Sequence, residues 1–181
     1  MTALNGTIYA DNLMGTATDY RIFGDGGDDT LSASDSSTML DGWTGDDSLF
    51  GGAGHDILLG YTGHDSLLGG AGSDFIAGEA GDDFLNGYGE TSFEYDYLIG
   101  GTGADYFILG NTSGAFYEQA GFATIIDFES TETDKIQVFG NSNNYSLAEF
   151  GDGTDIYYQN NLIGYVANTT DLSLETDFIF V

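Results

Sequence analysis

An aliphatic side chain returns at every ninth position along the first half of the chain: Leu13, Ile22, Leu31, Leu40, Leu49, Leu58, Leu67, Ile76 and Leu85. A period held that strictly requires a coil in which every unit takes the same local shape and buries its apolar side chain against the next turn. Two residues before these positions stand Asp11, Asp29, Asp47, Asp56, Asp65, Asp74 and Asp83, with Tyr20 and Thr38 as the exceptions. The period therefore carries chemistry as well as packing.

The clearest unit is Gly51-Gly52-Ala53-Gly54-His55-Asp56-Ile57-Leu58-Leu59, and Gly69-Gly70-Ala71-Gly72-Ser73-Asp74-Phe75-Ile76-Ala77 repeats it. The last three positions read as a very short strand with its middle side chain pointing inward, and the first six as a turn. About eleven units run from Gly6 to Ile108. The tenth carries a four-residue insertion, because Gly87-Tyr88-Gly89 reaches its aspartate only at Asp96; the eleventh, Gly100 to Ile108 with Asp105, is regular again.

Charge narrows the partners. Two Lys+Arg against 30 Asp+Glu give a formal net charge of −28, which excludes nucleic acid and anionic membrane surfaces and points to cations. Acidic disordered chains lack aromatic and branched residues, whereas this chain is 41% hydrophobic with 13 Phe and 12 Tyr. It has the material for a core, in a fold conditional on bound metal. There is no Cys, hence no disulfide and no thiolate site. The start, Met1-Thr2-Ala3-Leu4-Asn5-Gly6, has neither a basic nor an apolar leader region, and no apolar run reaches the ~18 residues of a membrane span. An export address is therefore expected elsewhere, and membrane insertion is not.

Both quoted units match G-G-x-G-x-D-x-U-x, and the chain on this ground resembles the RTX family of calcium-binding nonapeptide repeat proteins. The resemblance implies an all-β fold: a right-handed parallel β-roll of tandem nonapeptides over 6–109, with a C-terminal antiparallel β cap over 110–181. Two units make one turn in such a roll, so calcium ligands are shared by loops eighteen residues apart. Odd units place Asp11, Asp29, Asp47, Asp65, Asp83 and Asp105 on one edge; even units place Tyr20, Thr38, Asp56, Asp74 and Asp96 on the other. A nearly continuous row of ions is expected on the odd edge, and one confined to the later half of the even edge. The carbonyl oxygens expected to join the carboxylates are those of Gly24, Gly42, Gly51, Gly60, Gly69 and Gly78 at the first loop position. At the third position they are those of Gly26, Thr44, Ala53, Thr62, Ala71 and Ala80. Carbonyls plus carboxylates form a hard, all-oxygen set that suits calcium, and about six to eight ions are expected. Stacked turns lie ~4.8 Å apart, so neighbouring carboxylates repel by roughly 3 kcal/mol at an effective dielectric near 20. The ion is expected to act as a folding switch.

Beyond Gly110 longer β patterns replace the glycines: Ala123 to Phe128, Lys135 to Phe139 and Ile156 to Gln159, the last followed by Asn160-Asn161 as an expected hairpin turn before Leu162 to Val166. Ile126-Asp127-Phe128 with Asp134-Lys135-Ile136 is similar to the block that follows the repeats in serralysin-type proteases; Asp127 and Asp134 are read either as a further calcium site or as a solvated turn. The ending Asp177-Phe178-Ile179-Phe180-Val181 resembles the C-terminal signal of type I secretion substrates, and also reads as a final edge strand. The resemblance implies a secreted protein, extracellular or at the cell surface, with the type I secretion apparatus as a partner.

No catalytic constellation emerges. His55 and His64, the only histidines, occupy the same loop position of adjacent units, on opposite edges, and are read as variable surface positions. Nucleophile elbow, phosphate loop and Cys nucleophile are absent. Trp43, Tyr61 and Tyr88, at the second loop position, are candidates for a surface glycan contact or ordinary loop variation. A non-enzymatic calcium-binding protein is expected, with a self-assembling surface protein or an accessory module of a secreted hydrolase or polysaccharide-modifying enzyme as the alternatives.

Overall fold

The structure is a computed structural model that describes residues 2–89, 93–117 and 121–181. The ninefold period resolves into two parallel sheets facing each other across one apolar core. The first is built from Thr2–Asn5, Asp19–Gly26, Met39–Thr44, Ile57–Thr62, Phe75–Ala80, Glu94–Thr102 and Gly121–Ile125, and closes with Asn161–Val166, Gly153–Tyr158 and Tyr145–Phe150. The second stacks Asn12–Met14, Thr30–Ser32, Ser48–Ala53, Ser66–Ala71, Phe84–Asn86, Tyr106–Ile108, Lys135–Val138 and Phe178–Phe180. The chain alternates between the sheets, so each unit adds one strand and two units complete a turn.

Register follows directly from the aliphatic spacing. Ile22 pairs with Leu40, Leu40 with Leu58 and Leu58 with Ile76 in one sheet; Leu31, Leu49, Leu67 and Leu85 pair in sequence in the other. All are at most 1% exposed, and each such side chain removed from water contributes about 1.5–3 kcal/mol. The inserted residues of the tenth unit leave the stack intact, since Ile76 still pairs with Leu98 and Leu85 with Phe107.

Parallel stacking runs on past residue 109. Gly121–Ile125 lies on Glu94–Thr102, Lys135–Val138 on Tyr106–Ile108, and Phe178–Phe180 on Lys135–Val138. Antiparallel pairing closes the distal end of the first sheet, where Asn161–Val166 meets Gly153–Tyr158 and that strand meets Tyr145–Phe150, and recurs in a small separate pair, Gly110–Asn111 with Gly114–Ala115. The hairpin falls one residue earlier than the Asn160-Asn161 expectation. Tyr158 pairs with Asn161, and Gln159 and Asn160 hold φ of 49° and 71°, the paired left-handed geometry that matches strand twist. Among the described residues, helix is limited to two short 3-10 turns, Ser130–Glu132 and Ser142–Asn144, and no helix is long and apolar enough to cross a membrane.

Candidate metal centre

Loops between the sheets carry the sixth-position aspartates to two opposite edges, and there they form ladders. On the odd edge Oδ1 of Asp29, Asp47, Asp65, Asp83, Asp105 and Asp134 accepts the backbone N–H of the preceding row member, Asp11 through Asp105, at 2.7–3.0 Å. On the even edge Oδ1 of Asp56, Asp74 and Asp96 accepts from Thr38, Asp56 and Asp74 at 2.7–2.8 Å. One carboxylate oxygen per turn is thus spent on holding the next turn in place.

The other oxygen is left over. Oδ2 of Asp29, Asp47, Asp56, Asp65, Asp74, Asp83 and Asp105 is buried without a hydrogen-bond partner, in residues at most 2% exposed. A buried polar atom without a partner costs about 1–3 kcal/mol, more when charged, and seven in two straight rows require a common explanation. Burial pushes the carboxyls of Asp47, Asp74 and Asp83 up to about 7, helped by their row neighbours. It pushes Asp56, Asp65 and Asp105 up to about 6.

Glycine at the first loop position keeps a cradle open beside each such oxygen. A methyl group at Gly24, Gly42, Gly60, Gly69 or Gly78 would overlap Oδ2 of the aspartate five residues on, and at Gly51 would stand 2.8 Å from Oδ2 of Asp56. The same point lies 2.6 Å from the Gly42 carbonyl oxygen for Gly24, 3.1 Å from that of Gly60 for Gly42 and 2.9 Å from that of Gly78 for Gly60. Carboxylate and next-turn carbonyl therefore face one space. Third-position residues stack in register, Gly26 on Thr44 on Thr62 on Ala80 and Ala53 on Ala71. Carbonyls of Thr62, Ala71 and Ala80 already accept an N–H from Gly45, Gly54 and Gly63 at 2.8–3.0 Å, which leaves each one lone pair.

No three His, Asp or Glu side chains converge among the described residues. A cation in the cradle would thus be held by main-chain oxygens with one or two carboxylates, a donor set without nitrogen or sulfur that fits calcium and not the softer metals.

Not every expected ligand is in this state. Oδ2 of Asp11 accepts from the backbone and hydroxyl of Thr7, at 2.7 and 2.8 Å, and that of Asp96 from the Tyr117 hydroxyl. Asp134 extends the odd ladder, but its Oδ2 accepts from Glu129 N–H at 2.8 Å. Both oxygens of Asp127 are taken by Gly100 and Gly101 N–H, at 2.9 and 2.8 Å. Tyr20 is exposed, and Thr38 turns its hydroxyl onto the Ser36 carbonyl at 2.7 Å.

A second ladder lies one residue earlier, and residue identity conceals it. Asp28 Oδ1 accepts from Asp46 N–H, Asp46 Oδ1 from His64, His64 Nδ1 from Asp82, and Asp82 Oδ1 from Ala104, at 2.8–3.0 Å. On the other edge Ser37 Oγ accepts from His55, His55 Nδ1 from Ser73 and Ser73 Oγ from Tyr95 at 2.8–3.0 Å. The histidines are exposed, yet each links two turns through an unprotonated Nδ1. From Asp28 to Asp82 the position always carries an acceptor, which Asp, Ser and His supply equally.

Of the second-position aromatics, Trp43 and Tyr61 stack at 5.3 Å and 26° and hold left-handed φ of 80° and 76°. Tyr88 departs from the surface expectation: it packs against the core, stacked on Phe116 at 4.5 Å.

A family model described as the RTX calcium-binding nonapeptide repeat matches the chain in four copies, over residues 5–38, 39–58, 59–91 and 92–112. Among solved structures, the AlgE6R3 subunit from the Azotobacter vinelandii mannuronan C5-epimerase aligns over 96% of this chain and 80% of its own, at 21% identity and a TM-score of 0.38. No curated protein matches the chain.

Proposed function

The chain belongs to the RTX calcium-binding nonapeptide repeat family, and from that premise we propose that it is a secreted, non-catalytic protein whose roll is completed by extracellular calcium. The observation that carries this reading is the set of seven buried, partnerless Oδ2 atoms in two rows. Asp29, Asp47, Asp65, Asp83 and Asp105 would hold ions on the odd edge, and Asp56 and Asp74 on the even edge, each with the first- and third-position carbonyls of its loops. That makes seven ions, one for each partnerless Oδ2. Calcium bound there supplies the positive charge that cancels carboxylate repulsion within each row. Without it, the Oδ1 ladders and the aliphatic column must hold the turns against a charge of −28.

We place ion binding in 6–109, and closure of the distal end together with the export signal in 110–181. An unfolded chain suits passage through a type I channel, and the millimolar calcium affinity usual for extracellular modules would delay folding until export. The test is a calcium titration followed by far-ultraviolet circular dichroism with magnesium as control. A cooperative gain of β signal with calcium alone is expected; a spectrum already β-rich in chelator and unchanged by calcium would overturn the switch.

A second reading adds a neutral glycan as partner. It is supported by the Trp43–Tyr61 stack beside a cavity of about 390 Å³ lined by Asn5, Gly6, Phe23, Asp25 and Trp43, since pyranose rings lay their C–H faces on such aromatics. Loss of retention on a neutral polysaccharide column in Trp43→Ala would support it, and equal elution of both proteins would remove it.

A further inference from the structure

The last Oδ2 of the even row is closed by a side-chain hydroxyl, where that of the odd row is closed by the Glu129 main chain. Asp56 and Asp74 keep a partnerless Oδ2, whereas Oδ2 of Asp96, equally buried, receives the phenol O–H of Tyr117 at 2.5 Å. The cradle itself is present, since a methyl group at Gly87 would stand 2.5 Å from Oδ2 of Asp96. At the register position of Asp96 the next turn carries Ala123, which has no carboxylate. Tyr117 is 2% exposed, edge-on to Tyr88 at 5.2 Å, and held at φ 59°, a left-handed conformation that bulky residues rarely adopt.

We propose that the Tyr117 hydroxyl is a built-in substitute for a calcium ion, closing the last cradle of the even row and fixing that row at two ions. This rests on the calcium reading above. In the other cradles Oδ2 is left for an ion, whereas here the phenol O–H already satisfies it, so an ion and Tyr117 would compete for the same oxygen. An O–H donated to a carboxylate is among the stronger hydrogen bonds, and it needs no metal. Tyr117 thereby anchors the distal end of the even row at any calcium concentration, where the neighbouring turns depend on the ion.

Bound calcium is counted by native mass spectrometry at saturation for the wild type and for Asp74→Asn, Asp96→Asn and Tyr117→Phe, with urea midpoints measured in the same buffer. Asp74→Asn is expected to hold one ion fewer and Asp96→Asn as many as the wild type. Tyr117→Phe is expected to keep or raise the count while its midpoint falls. One ion lost in Asp96→Asn, or an unchanged midpoint in Tyr117→Phe, overturns the substitution by phenol while leaving the calcium reading intact. A wild type that binds no calcium overturns both. Should Asp96→Asn fail to fold, the count and midpoint of Tyr117→Phe decide alone.

Discussion

The backbone amide of Asp65 donates to Oδ1 of Asp83 at 2.7 Å, while Oδ2 of the same carboxylate is buried without a partner. One oxygen is structural and the other is held in reserve, so the carboxylate's two halves can be separated by mutation. In Asp83→Asn the amide oxygen keeps the ladder bond and the negative charge is gone. Without calcium the variant is expected to be more stable than the wild type, by on the order of 1–3 kcal/mol; with calcium it should be less stable and one ion short. Far-ultraviolet β signal in chelator and urea unfolding in millimolar calcium check the reversal.

Gly60 illustrates a glycine kept for space. Its φ is ordinary, but a methyl group there would overlap Oδ2 of Asp65 and lie 2.9 Å from the Gly78 carbonyl oxygen. Gly60→Ala is expected to fill the cradle, removing one ion and costing about 1–3 kcal/mol by overpacking. Calorimetric titration should show the stoichiometry reduced by one, with most of the remaining sites unaltered.

The Leu40–Leu58–Ile76 column and the Asp47–Asp65–Asp83 row were legible because identity repeats at a fixed spacing, and the fold follows once each unit is given one strand and one turn. Partners that break the period were not legible. Thr7 on Asp11 comes from a second loop position whose residue type varies from unit to unit, and Tyr117 on Asp96 comes from beyond the repeats. The stacked strands beyond residue 109 were hidden by loops of unequal length, which erase the ninefold spacing while the pairing persists. The inter-turn bonds of His55 and His64 were missed because their position repeats a hydrogen-bond capacity and no residue type.

That second ladder predicts an unequal response at His64. Nδ1 accepts from Asp82 N–H at 2.9 Å, so His64→Ala leaves an inter-turn amide to solvent and is expected to cost about 0.5–1.5 kcal/mol. His64→Asn, which can offer an amide oxygen at the same place, should recover most of it. Thermal unfolding of both variants in saturating calcium is the measurement, and equal losses would mean that the ring matters for packing alone.

Acid should act on the calcium-free protein in the opposite direction to its usual effect. Burial, the largest cause, raises Asp47, Asp74 and Asp83 from 3.8 to about 7, and Asp56, Asp65 and Asp105 to about 6. A carboxyl whose folded pKa lies above its unfolded value binds its proton more tightly when folded, so protonation favours the fold. That contribution is complete below about 3.8 and is lost as pH rises through 6 to 7. In calcium-free buffer the far-ultraviolet β signal is therefore expected to be stronger at pH 5 than at pH 8. With calcium the order inverts, because protons and ions compete for the same Oδ2 atoms and the apparent affinity falls as pH drops through 7 to 6. A β signal without calcium and a urea midpoint with calcium that both rise with pH would mean that these carboxyls are already paired within the protein, and would leave the seven oxygens without the role argued for them.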